Sequence, residues 1–236
     1  MRTTTVLFDL DGTLLPMDQE AFVKEYFKHL AQKLYPLGYD AGKLVDAIWS
    51  GTAAMVKNDG SRLNEDAFWG RFAEIFGEER LADKPVFDEF YENEFEKARV
   101  RCWSNPAAAE TVRALKAQGF RVALATNPIF PFVATGRRIG WTGLSPEDFE
   151  YITTYENSCF CKPNPAYYSE ITEKLKVDPA ECLMVGNDVT EDMVAQKIGM
   201  SVFLITDCLI NRENKDISVY PHGSFPDLLK YVEENK

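Results

Sequence analysis

The spacing of apolar residues changes twice along the chain. Thr4 to Leu10 is nearly unbroken and apolar or β-branched, then meets Asp11-Gly12-Thr13, which predicts a strand running into a turn. From about Met17 to Arg101 the period is helical. Phe22, Tyr26, Phe27, Leu30 and Leu34 share one face, and Leu44, Ile48 and Met55 share another. Asn64 before Glu65-Asp66 predicts a helix N-cap ahead of Phe68, Phe72 and Phe76. Val86, Phe90 and Phe95 carry the pattern into a charge-rich helix. Nothing in this stretch reads as strand. From Pro106 short apolar runs alternate with helical patterns. Strands are expected at Phe120–Ala125, Tyr151–Thr154, Cys182–Val185 and Val202–Ile205. Helices are expected at Pro106–Leu115, Val133–Ile139, Ala166–Leu175, Met193–Ile198 and Phe225–Val232.

Strands alternating with helices imply an α/β fold, a doubly wound, Rossmann-like parallel sheet covered on both faces. The all-helical stretch interrupts that pattern after the first strand. Two domains are therefore expected. Residues 1–16 plus 103–236 form a discontinuous α/β core, and residues 17–102 form an inserted helical cap.

Charge narrows the partners. The 236 residues carry 26 Lys plus Arg against 37 Asp plus Glu, a net −11 at pH 7. That opposes nucleic-acid binding and adhesion to anionic membranes, both of which need basic surface. Asp9 breaks the first apolar run, so no signal-peptide core is expected, and no run approaches the ~20 residues of a membrane span. The five cysteines are scattered and odd in number, which points to a reducing, cytoplasmic setting. Cys159-Phe160-Cys161 lacks a second cluster and a nearby histidine, so it reads as ordinary thiols rather than a zinc site. His29 and His222 are assigned no catalytic role.

Ligands of open α/β sheets bind beyond the carboxyl ends of the strands. The residues expected there are Asp9, Asp11, Gly12 and Thr13 after the first strand, and Thr126 and Asn127 after the second. Lys162 follows near a helix start, and Asn187, Asp188 and Asp192 come later. Phe8-Asp9-Leu10-Asp11-Gly12-Thr13-Leu14 resembles the first motif of the haloacid dehalogenase-like (HAD-like) hydrolase superfamily. Leu124-Ala125-Thr126-Asn127 resembles the second, Lys162-Pro163 the third, and Gly186-Asn187-Asp188 with Asp192 the fourth. The helical insertion is similar to the family's type-one cap. One departure concerns the fourth motif, where many relatives carry Gly-Asp and this chain has Gly186-Asn187-Asp188.

The resemblance implies a Mg²⁺-dependent phosphatase acting on a small phosphorylated metabolite. Asp9 would be the nucleophile forming an aspartyl-phosphate, and Asp11 the general acid and then base. Lys162 would neutralise phosphoryl charge, and Thr126 with Asn127 would bind phosphoryl oxygens. Asp9, Asp188 and the backbone carbonyl of Asp11 would hold Mg²⁺, with Asn187 and Asp192 supporting from behind. If a helix has begun, Asp188 and Asp192 face the same way. Lys162→Ala is expected to cripple turnover and leave the fold intact. Trp49-Ser50-Gly51-Thr52 interrupts a helical pattern and is a candidate substrate-facing loop, with a helix kink or a core tryptophan as the plainer reading. A phosphomutase, a phosphonatase, a haloacid dehalogenase or a non-catalytic binding module on the same fold remain alternatives. Dehalogenases usually lack the second aspartate of the first motif, which Asp11 supplies here.

Overall fold

The computed structural model describes residues 3–235. Its core is one parallel five-stranded sheet. The strands are β1 (Thr5–Phe8), β2 (Arg121–Leu124), β3 (Cys182–Gly186), β4 (Ser201–Ile205) and β5 (His222–Gly223), in spatial order β2-β1-β3-β4-β5. Phe8 lies opposite both Leu124 and Val185, so the carboxyl ends of the three central strands finish level.

Side chains alternate between two buried faces, as the period of two in a strand requires. Val6, Phe8, Val122, Leu124, Leu183 and Val185 join one apolar cluster, while Leu7, Ala123, Met184, Val202 and Leu204 join another. That double burial is why these strands read as continuous apolar runs. Helices α5 (Pro106–Ala117), α6 (Phe132–Trp141) and α8 (Phe225–Glu234) contribute to the first cluster, and α7 (Pro165–Leu175) to the second. Pro106 and Pro165 occupy first-turn positions, where a missing N–H costs nothing.

Between β1 and β2 the chain forms α1 (Gln19–Leu34), α2 (Ala41–Val56), α3 (Asn64–Phe76) and α4 (Lys84–Asn93), followed by a 3₁₀ segment at Phe95–Arg101. Their buried aromatics pack mainly edge to face. Phe72 and Phe87 lie 5.6 Å apart at 90°, and Trp69 and Phe87 5.1 Å apart at 89°. The first apolar cluster runs without a break from this cap into the sheet face.

Several elements differ from the sequence reading. Tyr151–Thr154 is not a strand. It pairs with β2 through a single bridge at Leu124 and Ile152, because the Asn157 side chain bonds Ile152 O and Thr154 N and turns the chain away. Met193–Ile198 is a 3₁₀ segment rather than an α-helix. β5 is two residues long, too short for any periodicity, and it places His222 in a strand. Trp49–Thr52 lies inside an uninterrupted α2, with Gly51 seated against the Phe68 ring.

Asn64 does not cap α3. Its side chain is fully buried and clasps the cap to the core. Nδ2 donates to Pro128 O and Phe160 O, each at 3.3 Å, while Oδ1 accepts from Asn58 Nδ2 at 2.9 Å. The backbone extends the clasp, with Asn64 N–H donating to Ser158 O and Glu65 N–H to Tyr155 O. Asn64→Ala strips partners from buried carbonyls, so it is expected to cost about 1–3 kcal/mol. Urea unfolding measures this, and an unchanged midpoint would show that the clasp contributes nothing.

Candidate active site

A cavity of about 290 Å³ opens at the carboxyl ends of β1, β2 and β3. Asp9, Asp11, Thr126, Asn127, Asn187, Asp188, Glu191 and Asp192 all line it. The order β2-β1-β3 makes this the switch point of the sheet, where the segments leaving neighbouring strands part.

Asp9 follows β1 and is fixed from two sides. Lys162 Nζ donates to Oδ1 at 2.8 Å, and Thr13 Oγ1 donates to Oδ2 at 2.8 Å. Thr13 reaches back because Gly12 takes φ +86°, a left-handed turn that glycine adopts without strain. Gly12 also has no room for a side chain, since a Cβ there would stand 2.4 Å from Asn187 Nδ2.

Lys162 is 1% exposed and lies behind Asp9 rather than in the cavity wall. Its Nζ donates at 2.6 Å to Asp192 as well. Burial alone would push its ammonium down, but the Asp192 and Asp9 charges outweigh burial and hold it well above the ordinary lysine range. Asp192 is raised to about 6, by burial first, with Lys162 opposing. Its second oxygen accepts the Asp188 N–H at 2.9 Å. No helix has begun at Asp188, so this bond and the returning backbone bond from Asp192 N–H to Asp188 O at 2.9 Å, rather than a shared helix face, join the two residues. A Cβ at Gly186 would fall 2.1 Å from Asp192 Oδ2, so only glycine admits that carboxylate.

Asp188 Oδ1 accepts the N–H groups of Thr190 at 2.7 Å and Glu191 at 2.9 Å. Asn187 accepts from Thr13 Oγ1 at 3.1 Å and donates to Cys208 O at 2.6 Å. Asn127 joins two further segments, accepting the Lys162 N–H and donating to Glu191, each at 3.3 Å. The Thr126 carbonyl is held by Thr153 and Tyr167 hydroxyls, both at 2.7 Å.

Two residues here escaped the sequence reading. Arg138 on α6 is buried, lies 4.4 Å over the Phe130 ring and pairs with Asp11 Oδ2. The signal was an arginine on the apolar face of a helix, at the i+4 position from Ala134. Burial raises the Asp11 carboxyl above the ordinary range against the pull of Arg138, and its Oδ1 is buried without a partner. Glu191, one residue before Asp192, is raised to about 7, by burial first.

The cavity thus gathers five carboxyls against the cations of Lys162, Arg138 and, at the rim, Arg212. Among the described residues no three acidic, histidine or cysteine side chains stand close enough to make a ready metal cage. Mg²⁺ does not require one, since it keeps several waters and takes one or two carboxylates together with substrate phosphate. The donors are hard oxygens in negative surplus, and Asp11 leaves one buried carboxyl oxygen unpartnered. The residues fit such an ion.

Residues 3–198 match the family model for haloacid dehalogenase-like hydrolase. A pyrophosphatase, PpaX, of Bacillus cereus is 27% identical over 212 residues, which cover 90% of this chain and 87% of the relative. Among solved structures, a 2-haloacid dehalogenase from Pseudomonas syringae superposes with TM-score 0.64 at 21% identity, covering 99% of each chain. A HAD-hydrolase from Bacillus subtilis, YfnB, bound to magnesium, superposes with TM-score 0.56 at 17% identity, covering 98% of this chain and 99% of that one. At these identities the two structures establish the fold alone.

Two measurements follow from the buried charges. Full burial revises the expectation for Lys162, since its removal leaves Asp9 and Asp192 as uncompensated neighbours. Lys162→Met is expected to destabilise the protein by about 3–5 kcal/mol in denaturant unfolding, and a midpoint shift near zero would contradict that. Glu191 binds its proton more tightly folded than unfolded, so its contribution to stability falls as pH rises from the ordinary glutamate range through about 7. In metal-free buffer, Glu191→Gln should flatten that fall and raise stability above pH 7. An unaltered pH profile would contradict the assignment.

Proposed function

Because the chain belongs to the haloacid dehalogenase-like hydrolases, we propose that it is a Mg²⁺-dependent phosphatase cleaving a small phosphorylated metabolite through an aspartyl-phosphate. The observation that carries this reading is the pair Asp9 and Asp11 on one cavity wall in contrasting surroundings. Asp9 is aimed by two donors, Lys162 Nζ and Thr13 Oγ1, while burial raises the Asp11 carboxyl above the ordinary carboxylate range. A carboxyl aimed by two donors suits a nucleophile, and one raised by burial suits an acid.

In this mechanism an Asp9 oxygen attacks phosphorus and the bond from phosphorus to the ester oxygen breaks. Asp11 gives its proton to the departing alkoxide. Asp11, now ionised, takes a proton from water as that water attacks phosphorus. The bond from phosphorus to Asp9 then breaks, releasing phosphate and restoring the Asp9 carboxylate. Lys162 positions Asp9 and offsets charge from behind it, and Arg138 orients Asp11. Thr126 and Asn127 flank the place a phosphoryl group would occupy. Asp9, Asp188 and the Asp11 carbonyl would hold Mg²⁺, with Asn187 and Asp192 behind them. The ion would supply positive charge that counters the carboxylates and the phosphate.

The general acid speaks for an ester. A halide leaves without a proton, so displacement at carbon would give Asp11 no work. The PpaX relative, by its name, also has phosphorus–oxygen cleavage as its chemistry. We take residues 17–102 as the cap that closes this site. The pairing of Met17 with Cys102, which brings the two ends of that segment together, supports the division.

Phosphate release from a panel of phosphorylated metabolites tests the reading. Asp9→Asn and chelation of Mg²⁺ should each abolish release. Asp11→Asn should lower kcat by about 10²–10⁴-fold, the usual weight of acid–base catalysis. Release that survives Asp9→Asn would refute the covalent route, and halide release from a haloacid would favour displacement at carbon.

A further inference from the structure

A second cavity, of about 90 Å³, lies between the cap and the core. It is separate in character from the acidic one and adjoins it, because Trp49 of α2 and Ile129 beyond β2 wall both. No charged side chain lines it. Its polar side-chain atoms are few and mostly engaged with one another, which leaves the Trp49 indole N–H, the Tyr155 O–H and one hydrogen of the Tyr26–Tyr91 pair. The Tyr26 and Tyr91 hydroxyls bond each other at 2.9 Å, Trp69 Nε1 donates to the Tyr155 hydroxyl at 3.4 Å, and Thr52 Oγ1 donates to Ile48 O at 2.9 Å.

We propose that this cavity is the subsite for the leaving group of the substrate, and that it selects phosphate monoesters of short aliphatic alcohols. The proposal rests on the phosphatase reading for the phosphoryl half. The apolar half rests on the pocket itself. A carboxylate or a second phosphate entering it would lose water and meet no cation, and a polyhydroxylated group would find fewer partners than it gives up in water, which costs more than the burial returns. An alkyl group meets aromatic and aliphatic walls and loses only unfavourable hydration. Size sets the length. Apolar cavities of about 150 Å³ admit benzene, so 90 Å³ takes a smaller group, roughly three to five methylene-sized units. Trp49 is 52% exposed, an unusual state for an indole beside two cavities, and a ligand spanning them would cover it.

Calorimetric binding of n-alkylphosphonates, from methyl to hexyl, to the full chain with Mg²⁺ reads the subsite directly. Hydrolysis of the matching n-alkyl phosphates is measured in parallel. Affinity should rise about fourfold per added methylene and stop rising near butyl or pentyl. Ile48→Ala should move that break to a longer chain and Val23→Phe to a shorter one, a shift that general loosening of the fold would not produce. Affinity independent of chain length, no binding at any length, or variants that weaken all lengths equally would overturn the subsite. Chain-length-dependent binding without phosphate release from any ester would uphold the subsite and overturn only the phosphatase reading.

Discussion

The site depends on one buried cation. Lys162 stands between Asp9 and Asp192 with almost no contact with water, and the segments beyond the central strands are tied through it. Its ammonium joins the turn after β1 to the segment after β3. Its backbone N–H joins Asn127, beyond β2. Asp192 passes the constraint on to Asp188 through a backbone bond, and Gly186 leaves the space that the Asp192 carboxylate fills. A buried ion pair is a weak source of stability because desolvation offsets most of its attraction. What this one supplies is position. It aims the Asp9 side chain into a cavity and sets a positive charge behind it.

The cap completes the electrostatics. Its aromatic core continues into the sheet face, and the Asn64 clasp fixes it to the loops around Pro128 and Phe160. The packing keeps water from the groups that most need shelter. Burial is the leading influence on Asp11, Glu191 and Asp192, and in each case it raises the carboxyl. Arg138 opposes that rise at Asp11, and its bond to Oδ2 fixes how the carboxyl is turned. The acid and nucleophile roles proposed for Asp11 and Asp9 would thus fall on residues two apart in sequence with very different surroundings.

Most of the architecture was legible because it rests on periodicity. Strands buried on both faces leave unbroken apolar runs, and the cap helices leave faces repeating every three to four residues. The turn after β1 was legible from Asp11-Gly12-Thr13. What escaped depends on long-range partners. Tyr151–Thr154 has the composition of a strand, yet the Asn157 side chain diverts it. Asn64 has the composition of a cap, yet its partners lie in loops far along the chain. Trp49–Thr52 looked like a break because Gly51 is a poor helix former, and the Phe68 ring against it explains why that residue is small. Arg138 and Glu191 carry no motif. Only the fold shows that one faces Asp11 and the other closes the carboxylate cluster.

The two cavities together reconcile an acidic protein with the phosphate-bearing ligand proposed for it. The net −11 is not spread evenly over the binding region, since five acidic groups crowd one cavity and none lines its neighbour. In the first, Lys162, Arg138 and an oxygen-seeking cation would turn local acidity into a site for an anion. In the second, aromatic and aliphatic walls without a charged side chain favour apolar contact. A ligand satisfying both must be charged at one end and apolar at the other, and its two halves must meet between Trp49 and Ile129. Those two side chains belong to the cap and the core respectively. The junction of charged and apolar halves therefore forms only when the two units are packed together, so a loosened cap would cost discrimination between leaving groups as well as shelter from water.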